Sequence, residues 1–416
     1  MTEKMEGINP GETAGFLDAV GSEENLEHLK DFGELKKIQP STNVLEHPYL
    51  KANTPIHLFT PLDYLNHIES SIPKGLISQQ NYDEIKTLAS FFKANITSFF
   101  GFETRLHKND GKVDYLFAIS KKNNEREELL RLFEDNKLPS EFMKHEKWKQ
   151  IKKLVQTWSD KSSILYDKVL GLWFEFDTAS ESKEIPIPSL FFQIKPIRKD
   201  KSKDDEDYSW IIDTLIPSST GKDMTFENKQ KMIQSINYLP EESVLLHIAA
   251  MISRNSSIIR TTIKMKPEQI VPYLESLGWK DENDGLSTLL DNIKDLSTRI
   301  ILHISIGEEI DPKIGLECSF SPDMYHQQEK WDRFFDYLIQ ENMCLPQIKD
   351  LVLSVNGITQ EDSSESFQSF EPAVQIDSTS GSEALVRYLS HIKIQYAPNK
   401  PILAKAYPGV RLFRKK

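Results

Sequence analysis

Ten short strand-like segments occur in pairs along the chain, and in several of them apolar residues alternate with charged ones. A period of two is that of a β-strand whose side chains point to opposite faces, so each pair predicts a β-hairpin. The pairs are 99–106 with 113–120, 169–177 with 188–195, 243–253 with 257–265, 299–306 with 314–320, and 391–396 with 401–407.

Helical periodicity separates the pairs. The predicted helices cover 61–65, 81–92, 124–135, 145–158, 225–237, 267–277, 285–296, 328–341 and 382–389. We predict an α+β fold in which about ten antiparallel strands, in five ββ units, close into a barrel surrounded by helices. Closure removes exposed sheet edges. An open sheet with one wet face would also explain the alternation. Closure is favoured because helices intervene between nearly all pairs and the polar face is rich in charge.

If helices cover the apolar face of each strand, the polar face lines a lumen. In 99–106, for example, Phe100 and Phe102 lie on one face, and Glu103 and Arg105 lie on the other. A ten-strand barrel is wide enough to hold a ligand. The same reasoning over all strands predicts these lumen residues: Glu103, Arg105, Trp173, Glu175, Gln193, Lys195, His247, Arg260, Thr262, Lys264, Arg299, His303, Glu317, His391, Lys393, Gln395, Lys405 and Tyr407.

Composition divides the chain into an extension and one barrel domain. Residues 1–45 are polar and weakly periodic, which predicts a flexible N-terminal extension with at most one helix near 22–37. This extension is either a simple tail or a segment that recruits a partner. The barrel domain covers 46–416, with loops at 198–222 and 357–381 that are rich in charge or in Ser and Glu. These loops are either solvated connections or a cover over the mouth of the barrel.

Net charge and apolar runs exclude several classes of protein. The formal net charge of −12 argues against a nucleic-acid partner, because phosphate binding requires clustered Lys and Arg. No run of about 18 apolar residues exists to cross a membrane, and the N-terminus lacks the features of a signal peptide. We therefore expect a cytoplasmic protein. The two cysteines, Cys318 and Cys344, match no metal motif and argue against a disulfide scaffold.

Cations on the predicted lumen face indicate an anion site. Arg260 and Lys264 share one face of a strand and lie about 13 Å apart by strand rise. With Lys195 and Lys405 from neighbouring hairpins they could clamp a diphosphate, since Arg binds phosphate oxygens in pairs and Lys acts as a mobile charge. The alternative is surface charge, or internal salt bridges to the lumen carboxylates.

A metal site is a weaker possibility. His247, His303 and His391 could ligate a metal with Glu175 or Glu317, but they lie on separate hairpins and form no short motif. Isolated histidines of this kind are usually structural.

Three strand segments share a form in which Gly precedes apolar residues that alternate with a carboxylate. They begin at Gly101, Gly171 and Gly315 and contain Glu103, Glu175 and Glu317. With the order of elements, this pattern resembles the ABBA aromatic prenyltransferases, whose barrel is built from five αββα-type units that enclose ten antiparallel strands. The resemblance covers roughly residues 60–410 and rests on element order and these few motifs.

The resemblance implies roles for particular side chains. A Glu on the first strand of such enzymes acts on the aromatic nucleophile, and Glu103 occupies a similar place. Later strands carry Lys, Arg and Tyr for the prenyl diphosphate. The implied diphosphate-binding residues are Arg105, Lys195, Arg260, Lys264, Lys405 and Tyr407, and those that contact the acceptor or shield the allylic cation are Trp173, His303, Glu175 and Glu317.

The sequence also departs from the family pattern. Members usually place a Tyr beside the basic residues of several hairpins, whereas this chain has Thr262 and Glu317. Extra carboxylates disfavour a diphosphate unless they are paired or bridged by a metal. The sequence therefore predicts no required cofactor, and Mg²⁺ is the metal that could bridge these carboxylates and a diphosphate.

The leading hypothesis is a prenyltransferase-like enzyme of natural-product biosynthesis. It would transfer an allylic group from a diphosphate donor to an aromatic or peptide acceptor inside the lumen. Two alternatives stay open. One is a non-catalytic peptide-binding or accessory protein of a peptide-modification pathway, and the other is a metal-dependent hydrolase that uses lumen His and Glu residues.

Overall fold

Antiparallel strands dominate the computed structural model, which describes residues 60–178, 185–199, 207–254, 256–281, 284–320, 327–360 and 383–414. In these ranges eleven strands form one sheet. They are β1 Phe99–Arg105, β2 Val113–Ser120, β3 Val169–Phe176, β4 Ser189–Arg198, β5 Val244–Ala250, β6 Ile259–Lys264, β7 Arg299–Ile306, β8 Ile314–Ser319, β9 Gly357–Gln360, β10 Glu383–Tyr396 and β11 Leu403–Arg414.

Ten of these strands close into a ring. Each strand from β1 to β8 pairs with the next, β8 pairs with β10, and β10 pairs with β11. The ring closes because β11 also pairs with β1, where Arg105 lies opposite Lys405. The short β9 adds to the first half of β10, outside the ring. The predicted closed antiparallel barrel of five ββ units is therefore confirmed.

Helices cover the apolar outer face of the barrel. They are α1 Pro61–Ile68, α2 Gln79–Ala89, α3 Glu125–Glu134, α4 Ser140–Lys144, α5 Glu146–Ser159, α6 Ile164–Lys168, α7 Ile216–Thr220, α8 Phe226–Asn237, α9 Pro267–Ser276, α10 Gly285–Ile293, α11 Gln328–Gln340 and α12 Pro346–Leu353. Side-chain caps begin several of them, as where Thr60 forms a capping box with Asp63. Among the described residues, no helix is both long and apolar enough to cross a bilayer.

The predicted helix at 382–389 is wrong, because this segment is the first half of β10. Leu385 and Leu389 have a helical spacing, but the backbone here pairs with β11 on one side and with β9 on the other. The register shifts between Leu389 and His391, so Ser390 interrupts the alternation. The two-residue alternation of 391–396 therefore breaks at Ser390 and does not continue in the same phase to Tyr388.

The two predicted loops also contain regular structure. Within 198–222, a π-helical turn at Ile211–Leu215 leads into α7, because Trp210, Ile211 and Leu215 are buried in the core. Within 357–381, residues 357–360 form β9. The rest of the second loop, part of the first, the predicted extension at 1–45 and its helix near 22–37 lie outside the described residues.

Trp148 on α5 fixes this helix against the barrel. Its side chain is buried, its ring stacks on Phe142 at 4.8 Å, and its indole N–H donates to the carbonyl of Pro186 at 3.0 Å. We expect Trp148→Ala to lower the free energy of unfolding by about 3–5 kcal/mol, because it leaves a large cavity. Phe226→Ala, at a side chain 71% exposed, should change it by no more than about 0.5 kcal/mol. Urea unfolding followed by circular dichroism would measure both, and equal losses would contradict the packing described.

Candidate active site

Aromatic and aliphatic side chains form one wall of the lumen. Trp173 of β3 meets Phe99 of β1 edge to face, with ring centroids 5.1 Å apart. Phe99 in turn stacks on Tyr388 of β10 at 6.2 Å. Phe191 of β4 and Leu116 of β2 belong to the same buried cluster. This cluster, which we call the aromatic wall, is separate from the larger core between barrel and helices.

Charged and polar side chains form another part of the lumen. They come mainly from β6, β7, β8, β10 and β11, which contribute Arg260, His303, Glu317, Lys393 and Lys405. A cavity of about 30 Å³, room for about two water-sized molecules, is lined by residues of both kinds. The cavity is lined by Leu116, Trp173, Glu175, Phe191, Arg260, His303, Glu317, His391, Lys393 and Tyr407.

Glu103 is held by two partners from β11. Lys405 Nζ donates to its Oε1, and the Tyr407 hydroxyl donates to its Oε2. Burial alone would raise the pKa of Glu103, but the charge of Lys405 and these hydrogen bonds lower it to about 2. The same carboxylate raises the pKa of Lys405 against the effect of burial. Glu103 is therefore ionised at any physiological pH.

His391 and Glu317 form a second polar group, beside the one that contains Glu103 and Tyr407. The ring of His391 stacks on Tyr407 with centroids 4.1 Å apart, and its Nε2 lies 4.0 Å from Oε2 of Glu317. Glu317 Oε2 also lies 3.0 Å from Nε2 of His303. Polar and aromatic contacts thus connect Glu103 to His303 through the lumen.

His303 links Glu317 to a buried lysine. Its Nδ1 lies 3.1 Å from Nζ of Lys393. Since a carboxylate oxygen accepts, His303 Nε2 carries the proton toward Glu317 and Nδ1 accepts from Lys393. Burial and the charges of Lys393 and Arg260 hold the pKa of His303 well below its ordinary value. The imidazole is therefore neutral.

Glu175 lines the cavity near the end of β3 that leads into the connection to β4. Its Oε1 lies 4.0 Å from Nη2 of Arg254, which pairs more closely with Asp177 at 2.8 Å. Burial and the negative charge of Glu103 raise the pKa of Glu175 to about 7, against the opposing charge of Arg260. Glu175 can therefore take up or release a proton near neutral pH.

This raised pKa predicts a dependence of stability on pH. Between about pH 4.5 and 7 the folded protein holds the Glu175 proton and the unfolded chain does not, so this group lowers stability as the pH rises. We expect Glu175→Gln to remove that decline, with a gain over wild type of up to about 1.4 kcal/mol per pH unit in this window. Unfolding free energies at pH 5, 6 and 7 would show it. Glu146→Gln, at an exposed carboxylate, should run parallel to wild type, and a parallel Glu175→Gln curve would contradict the prediction.

The structure brings most of the predicted site residues together and leaves three apart. Lys195 is exposed, because the pairing of β4 with β5 shifts register between Gln193 and Ile197. Arg105 turns toward the β1–β2 connection, where its Nη2 donates to the Lys112 carbonyl at 2.9 Å. Lys264 lies at the opposite end of β6 from Arg260 and does not line the cavity. The lumen residues that do meet are Glu103, Trp173, Glu175, Arg260, His303, Glu317, Lys405 and Tyr407.

Some lumen residues had no predicted role. Phe191 shares the parity of Gln193, so the alternation of β4 could have identified it. Tyr388 was hidden by the predicted helix at 382–389. His391 and Lys393 were predicted to face the lumen, but their contact with the His303 and Glu317 pair depends on neighbours far apart in sequence.

Glu103, Glu175 and Glu317, the lumen carboxylates described above, each contact different partners. Glu103 binds Lys405 and Tyr407, Glu317 binds His303, and Glu175 faces Arg254. Among the described residues, no three His, Cys, Asp or Glu side chains are grouped so as to hold a metal ion.

Solved structures of prenyltransferases are similar to this chain. Prenyltransferase PriB in its apo form has a TM-score of 0.49 at 9% identity, over 83% of this chain and 93% of that chain. For 5-dimethylallyltryptophan synthase from Streptomyces coelicolor the TM-score is 0.48 at 8% identity, over 84% and 97%. No protein-family model and no curated protein matches the chain. At the level of fold, the predicted resemblance to ABBA-type barrels is confirmed, since the ring of strand pairs is seen directly.

Proposed function

We propose that this protein transfers an allylic group from a diphosphate donor to an aromatic acceptor, free or within a peptide. The observation that carries the proposal is that cationic and aromatic side chains line one cavity. Arg260 and Lys393 supply positive charge, Trp173 and Phe191 supply aromatic surface, and Lys405 lies beside them on Glu103. An allylic diphosphate has the same two parts, an anionic head and an apolar tail.

The diphosphate head would bind at the cations. Arg260 can bind two phosphate oxygens in parallel, and Lys405 adds a mobile charge. Glu103 neutralises much of the charge of Lys405 in the free protein, so Arg260 is the principal anchor. Binding of an anion would also favour the protonated form of Lys393, whose pKa burial and Arg260 lower to about 7.

Transfer would begin with heterolysis of the C–O bond. The electron pair leaves with the diphosphate, which the cations stabilise, and the allylic cation faces Trp173 and Phe191. The acceptor ring then attacks the cation. Ionised Glu103 orients the acceptor and stabilises its growing positive charge, and Glu175 accepts the proton that the ring releases.

The small cavity favours a second candidate. A volume of about 30 Å³ admits a donor only if lumen side chains move aside. A barrel whose lumen stays filled would act as a non-catalytic accessory protein that binds a peptide elsewhere. The two candidates differ in whether allylic diphosphates bind at all.

Ligand binding and turnover test the proposal together. Five- and ten-carbon allylic diphosphates should raise the melting temperature of the full chain, because a ligand of the folded state stabilises it. Arg260→Met should abolish this shift, whereas Lys266→Met, at an exposed side chain, should retain it. Product formation is then followed with tryptophan and a tryptophan-containing peptide, with Mg²⁺ or with EDTA. No shift and no product with any donor would reject the transferase and leave the accessory protein.

A further inference from the structure

Lys393 lies deep in the charged part of the lumen. Its strand neighbours are Glu317 on β8 and Lys405 on β11. Its side chain is 8% exposed and lines the cavity together with Trp173 and Phe191. The amine does not pair with Glu317 beside it. It reaches across β8 instead, to His303 Nδ1 on β7 at 3.1 Å.

Gly315 makes this reach possible. It stands opposite His303 on β7 and opposite Gln395 on β10, so it lies under the path of the Lys393 side chain. A Cβ at this position would lie 2.6 Å from Cε of Lys393 and 3.2 Å from Cβ of His303. Any other residue would therefore displace the lysine from the imidazole.

Burial makes a large fraction of the Lys393 amine neutral near pH 7. Burial and the charge of Arg260 lower its pKa to about 7, against the carboxylates of Glu103, Glu175 and Glu317. Lys405, His303 and His391 are the other titratable groups that face it from neighbouring strands. A desolvated lysine next to another cation is a recognised form of activated nucleophile.

We propose that Lys393 is a nucleophile that forms an imine with a small aldehyde or ketone held in the cavity. Two geometric facts support the site: Lys393 lines a cavity that is also lined by aromatic rings, and its amine lies within hydrogen-bond distance of a neutral imidazole. The volume of about 30 Å³ restricts the substrate to a carbonyl compound of a few heavy atoms. This activity requires no diphosphate and is independent of the transferase.

Lys393, His303 and Glu317 account for every proton transfer that imine formation requires. The lone pair of Lys393 Nζ attacks the carbonyl carbon, a C–N bond forms, and the first amine proton passes through His303 Nδ1 to the carbonyl oxygen, which becomes a hydroxyl. His303 Nδ1 then takes the second amine proton and gives it to this hydroxyl, which leaves as water when the C–O bond breaks. Glu317 stabilises the transient imidazolium through Nε2. Amine and carbonyl thus give imine and water.

Reductive trapping tests the proposal. The full chain is treated with acetaldehyde and sodium cyanoborohydride at pH 7, and the labelled lysines are identified by peptide mass spectrometry. We expect Lys393 to be labelled at least about tenfold faster than exposed Lys266 and Lys294, whose pKa values are raised by carboxylate partners. The rate at Lys393 should level off above about pH 7, while the rates at the two controls continue to rise.

Variants and unfolded protein complete the test. His303→Asn and Gly315→Ala should each slow labelling of Lys393 and leave Lys266 unchanged. In urea the preference for Lys393 should vanish. If a variant does not fold, the labelling rates of Lys393 and of the exposed lysines in the wild-type protein still test the proposal. Labelling of Lys393 no faster than of the exposed lysines in the folded wild type would overturn the proposal.

Discussion

Replacing Glu103 by Gln should lower kcat for the proposed prenyl transfer by about 10²–10³ without weakening donor binding, since it also frees the charge of Lys405. Loss of one preorganised group that stabilises developing charge costs about this much, roughly 2.7–4 kcal/mol. Glu103 is ionised, buried and fixed by Lys405 and Tyr407, so it needs no reorganisation when the acceptor becomes positive. Glutamine keeps the shape and removes the charge. Turnover and donor binding are measured on the same preparation.

A matched control separates this effect from a general loss of carboxylate charge. Asp213→Asn removes a carboxylate that is 63% exposed on the outer surface and should leave kcat unchanged. Tyr407→Phe removes one hydrogen bond to Glu103 but keeps its charge, and should cause a smaller loss than Glu103→Gln. If Glu103→Gln turned over as fast as wild type while Arg260→Met did not bind donor, the role assigned to Glu103 would be rejected and the donor site retained.

Replacing Lys405 by Met should lower the free energy of unfolding at pH 7 by about 3–5 kcal/mol. The change leaves Glu103 ionised and buried without its cation, and breaking such a pair is costly. The acid behaviour should change as well. The lowered pKa of Glu103 contributes stability above about pH 4.3 that is lost as the pH falls toward 2. This acid-sensitive contribution should disappear in Lys405→Met, and urea unfolding between pH 2 and 7 would show both effects.

A double variant provides the check on this prediction. Glu103→Gln combined with Lys405→Met removes both charges and should recover part of the loss, because no unpaired charge stays buried. Lys266→Met, at an exposed surface ion pair, should change stability by about 1 kcal/mol or less. If the double variant is as unstable as the sum of the single variants, the two residues do not act as a pair.

The convergence of Glu103, Lys405 and Tyr407 could be predicted from sequence because alternation is unbroken where it matters. In β1 and in the first half of β11 every second residue faces inward, and the pairing of Arg105 with Lys405 places these strands side by side. Strand parity alone was therefore enough to place these three side chains in one lumen. Trp173 and Glu175 followed from the same reasoning in β3.

Register shifts explain what could not be predicted. The irregularity in β4 after Gln193 sends Lys195 to the surface, and the one at Ser390 lets both Tyr388 and His391 face inward. A bulge adds a residue without changing the local composition, so the pattern of apolar residues does not reveal it. The contact of Lys393 with His303 is beyond sequence reasoning for another reason. It depends on three adjacent strands and on the missing side chain of Gly315.

Closure of the ring by β11 also fixes when the site can form. Glu103 and Lys405 are 302 residues apart in sequence, and Tyr407 is 304 residues from Glu103. Contacts of such separation form late and slowly, because a long loop must close before they contribute. Until β11 docks, β1 and β10 are open edges that can pair with other chains. The docking of β11 therefore both pairs Glu103 with Lys405 and Tyr407 and covers the sheet edges that would otherwise promote aggregation.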